Sequence, residues 1–203
     1  MSNKPSRSDG IIADDAKLAA ACRNGDLDAF EQVVLLYQRL LYNVAVRIIG
    51  NEADAAEIVQ DALLSAWKKI GEFRGDSKLS TWLTAITVNQ ARSRWQKLRQ
   101  RRQREESLDL SEEDSWHSSL QIAGAMPSPL AMLEKSELNN ILERCVNQLD
   151  EGFREVLILR DMRELSYDEV GQVLGLRDGT VKSRLFRARE AVRDCIKKRA
   201  GTP

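Results

Sequence analysis

The spacing of apolar residues predicts α-helices along most of the chain. Over residues 14–104, apolar positions recur at intervals of three and four, which is the period of an amphipathic helix. Clusters of glycine and polar residues interrupt the pattern at 25–26, 50–51 and 71–77, and clusters of this kind mark turns. We therefore expect one domain of about four helices over 14–104, preceded by a disordered N-terminus at 1–13.

A polar segment separates this domain from a second one. Residues 105–129 contain many acids, followed by Gly, Pro and Ser, a composition with too little apolar surface to form a packed core. The helical period returns over 130–200, with breaks near 150–152, 163–164 and 175–179. The pattern predicts an all-α protein of two small helical domains joined by a flexible acidic linker.

Two short helices with a tight turn between them are predicted in the second domain. Ser166 and Glu169 have the capping-box spacing, in which the two side chains bond to each other's backbone N–H at the start of a helix. Gly175 is placed to close this helix in the left-handed conformation, and the next helix begins near Asp178 and Gly179. Such a pair is the frame of a DNA-binding helix-turn-helix.

The second of these helices has two faces of opposite character. At about 100° per residue, the apolar residues form one narrow stripe: Val181, Leu185, Ala188 and Val192. The opposite face carries Lys182, Ser183, Phe186 and Arg187. An aromatic ring among cations fits a DNA groove, where Phe meets thymine methyls and Arg or Lys donates to guanine. The same face also fits an ordinary solvated basic surface.

A helix predicted after residue 78 carries polar and basic residues beside its apolar face. The residues spaced for burial are Leu79, Trp82, Leu83 and Ile86. Asn89, Arg92 and Gln96 line an adjoining edge, and the cations of 92–104 follow one another with no acid between them. Such a run attracts a phosphate backbone, although cations at the end of a helix also complement the helix dipole.

A third polar cluster lies on the helix that Asn51 is placed to cap. Glu57, Gln60 and Asp61 stand at positions i, i+3 and i+4 and therefore share one face. By itself, an acidic edge of this kind indicates a solvated surface.

Composition and cysteine spacing narrow the class of protein. The 31 basic and 31 acidic residues cancel, so the chain is not a general polycation that coats nucleic acid. Cys22, Cys145 and Cys195 are scattered, without CxxC spacing or nearby histidines, which predicts a reducing compartment and neither a metal site nor a cofactor. We find no signal-peptide pattern and no apolar run of about 18 residues, so a cytoplasmic protein without membrane insertion is expected.

Three groups of residues together resemble the extracytoplasmic-function (ECF, group 4) sigma factors of the sigma-70 family. The runs LSYDEV at 165–170 and GTVKSRLFRAR at 179–189 resemble the region that reads the upstream promoter element. FRGDS at 73–77, with the helix after it, resembles the promoter-opening region, and DAAEIVQD at 54–61 resembles the polymerase-binding helix. The chain departs from the pattern at Gly171, where relatives often carry Ala.

The resemblance implies a role for each group of residues. Those expected to contact the upstream element are Lys182, Ser183, Phe186 and Arg187 at the bases, with Arg160 and Tyr167 at the backbone. Those expected at the downstream element, around a flipped-out base, are Phe73, Asn89, Arg92 and Gln96. Those expected to bind core RNA polymerase are Glu57, Gln60 and Asp61. The resemblance also implies an anti-sigma factor, and retention at the membrane where that partner is membrane-bound.

Three other classes of protein fit parts of the pattern. A stand-alone helix-turn-helix regulator explains the second domain but leaves the other motifs as coincidence. A structural helical adaptor predicts no promoter-dependent activity. An enzyme acting on DNA needs clustered carboxylates for metals or a positioned nucleophile, whereas the single histidine, His117, lies in the acidic segment. We therefore expect no catalysis by this chain.

Overall fold

The computed structural model describes residues 7–105 and 129–199, with side chains described over 15–101 and 137–199. Within these residues the backbone forms eight α-helices and no strand, which confirms the predicted all-α class. The helices are α1 (Arg7–Arg23), α2 (Leu27–Ile49), α3 (Glu52–Lys69), α4 (Leu79–Glu105), α5 (Pro129–Asn147), α6 (Glu151–Leu157), α7 (Tyr167–Leu174) and α8 (Asp178–Arg199). A 3-10 turn follows α3 at Ile70–Glu72, and a π-helical turn follows α6 at Ile158–Met162.

The chain forms two compact units, one built on the helices that precede the acidic segment and the other on the helices that follow it. The acidic segment itself lies outside the described residues, so its prediction as a flexible linker stays a prediction. The predicted disorder of 1–13 is wrong for 7–13, because α1 begins at Arg7. Residues 1–6 lie outside the described part of the chain.

The core of the first unit is made where α2, α3 and α4 pack against one another. On α3 the buried positions are mostly alanine, at Ala55, Ala62 and Ala66, and small side chains allow neighbouring helices to approach closely. The larger core residues come from α2 and α4, including Leu41, Val44, Leu79, Leu83 and Val88, all at most 1% exposed. The predicted cap of α3 is confirmed, since the Asp54 N–H donates to Asn51 Oδ1 at 3.0 Å.

The core of the second unit lies between α6, the π-helical turn and α8. Val156, Ile158 and Leu159 are fully buried there. Arg154 is buried among them and its Nη2 donates to the carbonyls of Asn147 and Leu149. Burial disfavours the charged guanidinium and lowers the pKa of Arg154 from its ordinary value. The two hydrogen bonds from its Nη2 connect α6 to the end of α5 and to the turn that follows it.

Cysteine spacing predicted three separate thiols, and this prediction is wrong. Cys145 on α5 and Cys195 on α8, fifty positions apart, form a disulfide, with their Cα atoms 5.7 Å apart. Sequence spacing missed this pair because the two helices meet only in the folded second unit. Cys22 is free and buried in the first unit, where desolvation raises the pKa of its thiol. The expectation of a reducing compartment therefore loses its support from cysteine spacing.

The disulfide predicts a stability difference confined to the second unit. Reduction or Cys195→Ser reopens a loop of 50 residues, which removes about 2–4 kcal/mol from the free energy of unfolding. Calorimetry of the wild-type chain with and without dithiothreitol measures this loss, and the Cys195→Ser chain, which has no disulfide to reduce, is the control. Alkylation of the denatured, unreduced wild type should label Cys22 alone; three labels per chain would contradict the disulfide.

Candidate nucleic-acid and polymerase interfaces

The helix-turn-helix begins and ends as its sequence predicts. Ser166 Oγ accepts a hydrogen bond from the Glu169 N–H at 3.1 Å, and Glu169 Oε2 accepts one from the Ser166 N–H at 2.8 Å, so the capping box is complete. Gly175 closes α7 with a φ of 66°, in the left-handed region. The second helix of the pair, α8, then begins at Asp178.

Gly171 of α7 lies close to the backbone of the turn between α7 and α8. Its carbonyl accepts hydrogen bonds from the N–H groups of both Gly175 and Leu176. A Cβ atom at position 171 would lie 2.8 Å from the carbonyl oxygen of Leu176, which is backbone and cannot swing away. An alanine at this position would therefore require a different path of the chain around Leu176.

One face of α8 is exposed opposite its buried stripe. The stripe is confirmed, with Val181, Leu185, Ala188 and Val192 all at most 8% exposed. The predicted base-contacting residues Lys182, Ser183, Phe186 and Arg187 are all exposed together on the other side. Phe186 is 63% exposed, so its ring lies on the surface among the polar side chains of this face. Ser183 Oγ donates to the Thr180 carbonyl at 3.1 Å.

Tyr167 brings two predicted contact residues together beside this face. The Arg160 guanidinium carbon lies 4.8 Å from the centre of the Tyr167 ring, and Lys182 Nζ lies 5.4 Å from it. Arg160 Nη1 also donates to the Leu165 carbonyl at 2.7 Å. Lys182 Nζ lies 2.6 Å from Asp178 Oδ2, and this hydrogen bond raises the pKa of Lys182. Arg160 and Tyr167, which are predicted to contact the DNA backbone, thus adjoin Lys182, which is predicted to contact the bases.

An ion pair that sequence reasoning missed attaches α8 to the π-helical turn. Arg189 donates to Asp161 from Nε at 2.9 Å and from Nη2 at 2.5 Å. This hydrogen bonding raises the pKa of Arg189, and a bidentate pair fixes direction as well as distance. No sequence signal identified Asp161, because it lies 28 positions from its partner.

Of the four residues predicted to contact the downstream element, three lie along one side of α4 and the fourth is buried. Asn89 and Gln96 are exposed and Arg92 is half-buried, so these three do line one side of the helix. Phe73 was predicted to contact a flipped-out base, but its side chain is buried. It is 5% exposed and packs on Trp82, with ring centres 5.5 Å apart. Phe73 therefore forms part of the core beneath the loop, and in this conformation it is closed to a base.

The cations of α4 are not the uninterrupted track that their sequence suggests. Arg94 donates to Asp54 Oδ1 from Nε at 2.8 Å and from Nη2 at 2.5 Å, and its Nη2 lies 2.9 Å from Glu57 Oε2. The hydrogen bond with Asp54 raises the pKa of Arg94. Acids of α3 thus neutralise this position, while Lys97 and Arg99 farther along α4 are exposed.

The residues predicted to bind polymerase are exposed on one side of α3. Glu57, Gln60 and Asp61 all face solvent, so their common face is confirmed. Glu57 and Asp61 line a shallow cleft with residues of α4, among them Gln90, Ser93 and Lys97. The acidic side of α3 therefore adjoins the side of α4 that carries Gln90, Ser93 and Lys97, within one unit.

Within residues 15–101 and 137–199, no group of three or more cysteine and acidic side chains lies close enough to hold a metal ion. In the same part of the chain, no helix has the length and apolar content needed to cross a membrane.

Comparisons with known proteins identify the class. Family models match in both units, with Sigma-70 region 2 at residues 33–102 and Sigma-70, region 4 at residues 139–192. RNA polymerase sigma-H factor of Pseudomonas aeruginosa is 33% identical over 88% of this chain and 91% of its own length. ECF sigma factor SigW of Bacillus subtilis is 32% identical over 84% and 90% of the two chains, and ECF sigma-E factor of Escherichia coli is 33% identical over 88% and 92%.

Solved structures agree with these matches. CnrH, solved in complex with the cytosolic domain of CnrY, is 25% identical, with a TM-score of 0.64 over 91% of this chain and 98% of its own. RpoE of Bartonella quintana, solved with the anti-sigma factor NepR, is 26% identical, with a TM-score of 0.65 over 83% and 96%. The chain belongs to the sigma-70 family of RNA polymerase sigma factors. Within that family it is a sigma factor of the ECF type.

The stand-alone regulator considered from the sequence does not account for these matches. A helix-turn-helix protein of that class explains region 4 at residues 139–192 but not region 2 at residues 33–102. All the predicted site residues fall inside one or the other matched segment.

The geometry at Gly171 predicts that an alanine at this position destabilises the second unit. Gly171→Ala should lower the free energy of unfolding of the second unit by about 1–3 kcal/mol, because overpacking outweighs the gain in helix propensity. Gly179→Ala is the matched control, since nothing lies within 4 Å of the Cβ added there. Calorimetry compares the two variants, and equal stabilities would refute the tight turn.

Proposed function

We propose that this protein binds core RNA polymerase and directs it to promoters, contacting an upstream element as double-stranded DNA and a downstream element as a melted single strand. The observation that carries the proposal is the presence, in one chain, of an exposed aromatic and basic face on α8 and an exposed polar edge on α4. The chain supplies recognition, and the polymerase supplies the catalysis.

The upstream element is read by the exposed face of α8. Arg187 and Lys182 donate to guanine edges, and Phe186 packs on thymine methyls in the major groove. In this role the ring of Phe186, 63% exposed in the free chain, is covered by the groove when DNA binds. Arg160 and Tyr167, held together at 4.8 Å, contact the phosphate backbone and fix the register of the helix.

The downstream element is bound by α4 and the loop before it. Asn89 offers an amide that hydrogen-bonds a flipped-out base, and Arg92 and Gln96 extend the same edge toward the strand. The burial of Phe73 changes its part in this proposal. It supports the loop from within the core, and the exposed residues that follow it, 74–76, receive the base.

Core polymerase is bound by the exposed face of α3. Glu57, Gln60 and Asp61 present two carboxylates and an amide on adjacent turns, which suits a basic partner surface. Arg94 orients Glu57 from α4, with 2.9 Å between the charged groups. Docking of polymerase and capture of the strand thus use neighbouring sides of the same unit.

Control by an anti-sigma factor is proposed from the solved relatives. CnrH is described in complex with the cytosolic domain of CnrY, and RpoE of Bartonella quintana with the anti-sigma factor NepR. A comparable partner would cover the polymerase and DNA surfaces until a stress signal releases them. We place the protein in the cytoplasm, held at the membrane where its anti-sigma factor is membrane-bound.

In vitro transcription with core polymerase and a genomic library tests the proposal. Arg187→Ala should weaken binding to promoters with an intact upstream element by about 1–3 kcal/mol, the free energy of one bidentate base contact. It should also relax selection at the base pair that Arg187 contacts. Asn89→Ala should leave upstream selection intact and reduce open-complex formation, measured by permanganate reactivity of the melted strand.

Two control variants remove similar groups elsewhere. Arg193→Ala removes another exposed arginine of α8, and Gln38→Ala removes an exposed amide of α2. Both should transcribe as the wild type does. Identical transcripts with and without the protein would reject the proposed function.

A further inference from the structure

We propose that Asp15 is a positioning residue for promoter opening, because it holds the start of α4 and so sets the loop that receives the flipped base. The inference rests on the proposed function. Asp15 lies on α1, outside the segment matched to Sigma-70 region 2 at residues 33–102, and sequence reasoning assigned it no role.

Asp15 connects three helices of the first unit from a buried position. It is 4% exposed. Its Oδ2 accepts a hydrogen bond from the backbone N–H of Leu79, the first residue of α4, at 3.1 Å. Its Oδ1 accepts one from the hydroxyl of Tyr37 on α2. Burial and this hydrogen bond raise the pKa of Tyr37, so the phenol keeps its proton and remains the donor.

The carboxylate replaces a cap that the local sequence lacks. The first N–H groups of a helix have no partner within it, and a short polar side chain just before the helix usually accepts from one of them. Here that position is Lys78, whose side chain has no acceptor. Its carbonyl accepts from the N–H groups of Thr81 and Trp82, and Asp15 accepts from that of Leu79. A negative charge at this end also complements the helix dipole.

This contact anchors one end of the base-receiving loop, and Phe73 anchors the other. Phe73 is buried against Trp82, and its N–H donates to the Ile70 carbonyl at 3.2 Å. Between the two anchors, residues 74–76 are exposed, and Gly75 has a φ of 83°. The loop therefore projects from two fixed points, and removal of Asp15 loses the hydrogen bond that fixes the end leading into α4.

The test compares Asp15→Ala and Asp15→Asn in the full chain with core polymerase. The promoter fragments carry each of the four bases at the captured position, in duplex and in pre-melted form. Asp15→Ala should reduce the preference for the best base in the pre-melted fragments about five- to tenfold, the loss expected from one helix cap. Asp15→Asn, whose amide oxygen still accepts from the Leu79 N–H, should retain most of that preference.

A merely structural role gives a different result. General destabilisation would lower the affinity for core polymerase and the amount of active protein, but it would leave the ratio among the four bases unchanged. An unchanged ratio in Asp15→Ala therefore overturns the proposal. If Asp15→Ala does not fold, Tyr37→Phe decides: it keeps the ring and removes the hydroxyl that orients the carboxylate. A reduced ratio in that variant supports the proposal, and a wild-type ratio overturns it.

The wild-type chain separates this inference from the proposed function. If the wild type neither opens promoters nor prefers any base, the proposed function fails and the inference falls with it. If the wild type opens promoters with a clear preference that Asp15→Ala retains, only the role of Asp15 is wrong.

Discussion

Burial of one stripe on a rigid helix fixes the direction of every side chain on the opposite face. On α8, Val181, Leu185 and Ala188 are at most 2% exposed, so rotation of the helix would carry apolar groups into water and polar groups into the core. Packing of the buried stripe therefore holds Phe186 and Arg187 outward. The same constraint on α4, through Leu79, Leu83 and Val88, holds Asn89 outward.

Ion pairs refine this arrangement more than they stabilise it. Exposed pairs contribute little free energy, but Arg189 with Asp161 connects α8 to the π-helical turn, and Arg94 with Asp54 connects α4 to α3. Some of the 31 basic and 31 acidic residues thus neutralise one another as specific ion pairs. Each pair locks an interface helix to the element behind it.

The two units hold their exposed helices, α8 and α4, in place by different contacts. In the second unit, a disulfide joins α8 to α5, and Gly171 of α7 leaves no room for a Cβ beside the turn that precedes α8. In the first, α4 is held by core packing and by Asp15 at its N-terminus. The loop proposed to receive a base, residues 74–76, is exposed and directly follows Phe73, which is buried in the core.

The amino-acid sequence by itself determined the helices, the capping box at Ser166, the left-handed Gly175 and the exposed face of α8, because each depends on residues within a few turns of one another. Tertiary structure alone decided the burial of Phe73, the pairing of Arg94 with α3, the Cys145–Cys195 bond and the capping of α4 by Asp15. These contacts join residues between 9 and 64 positions apart. A periodic pattern records which side of a helix is buried, but not which distant group covers it.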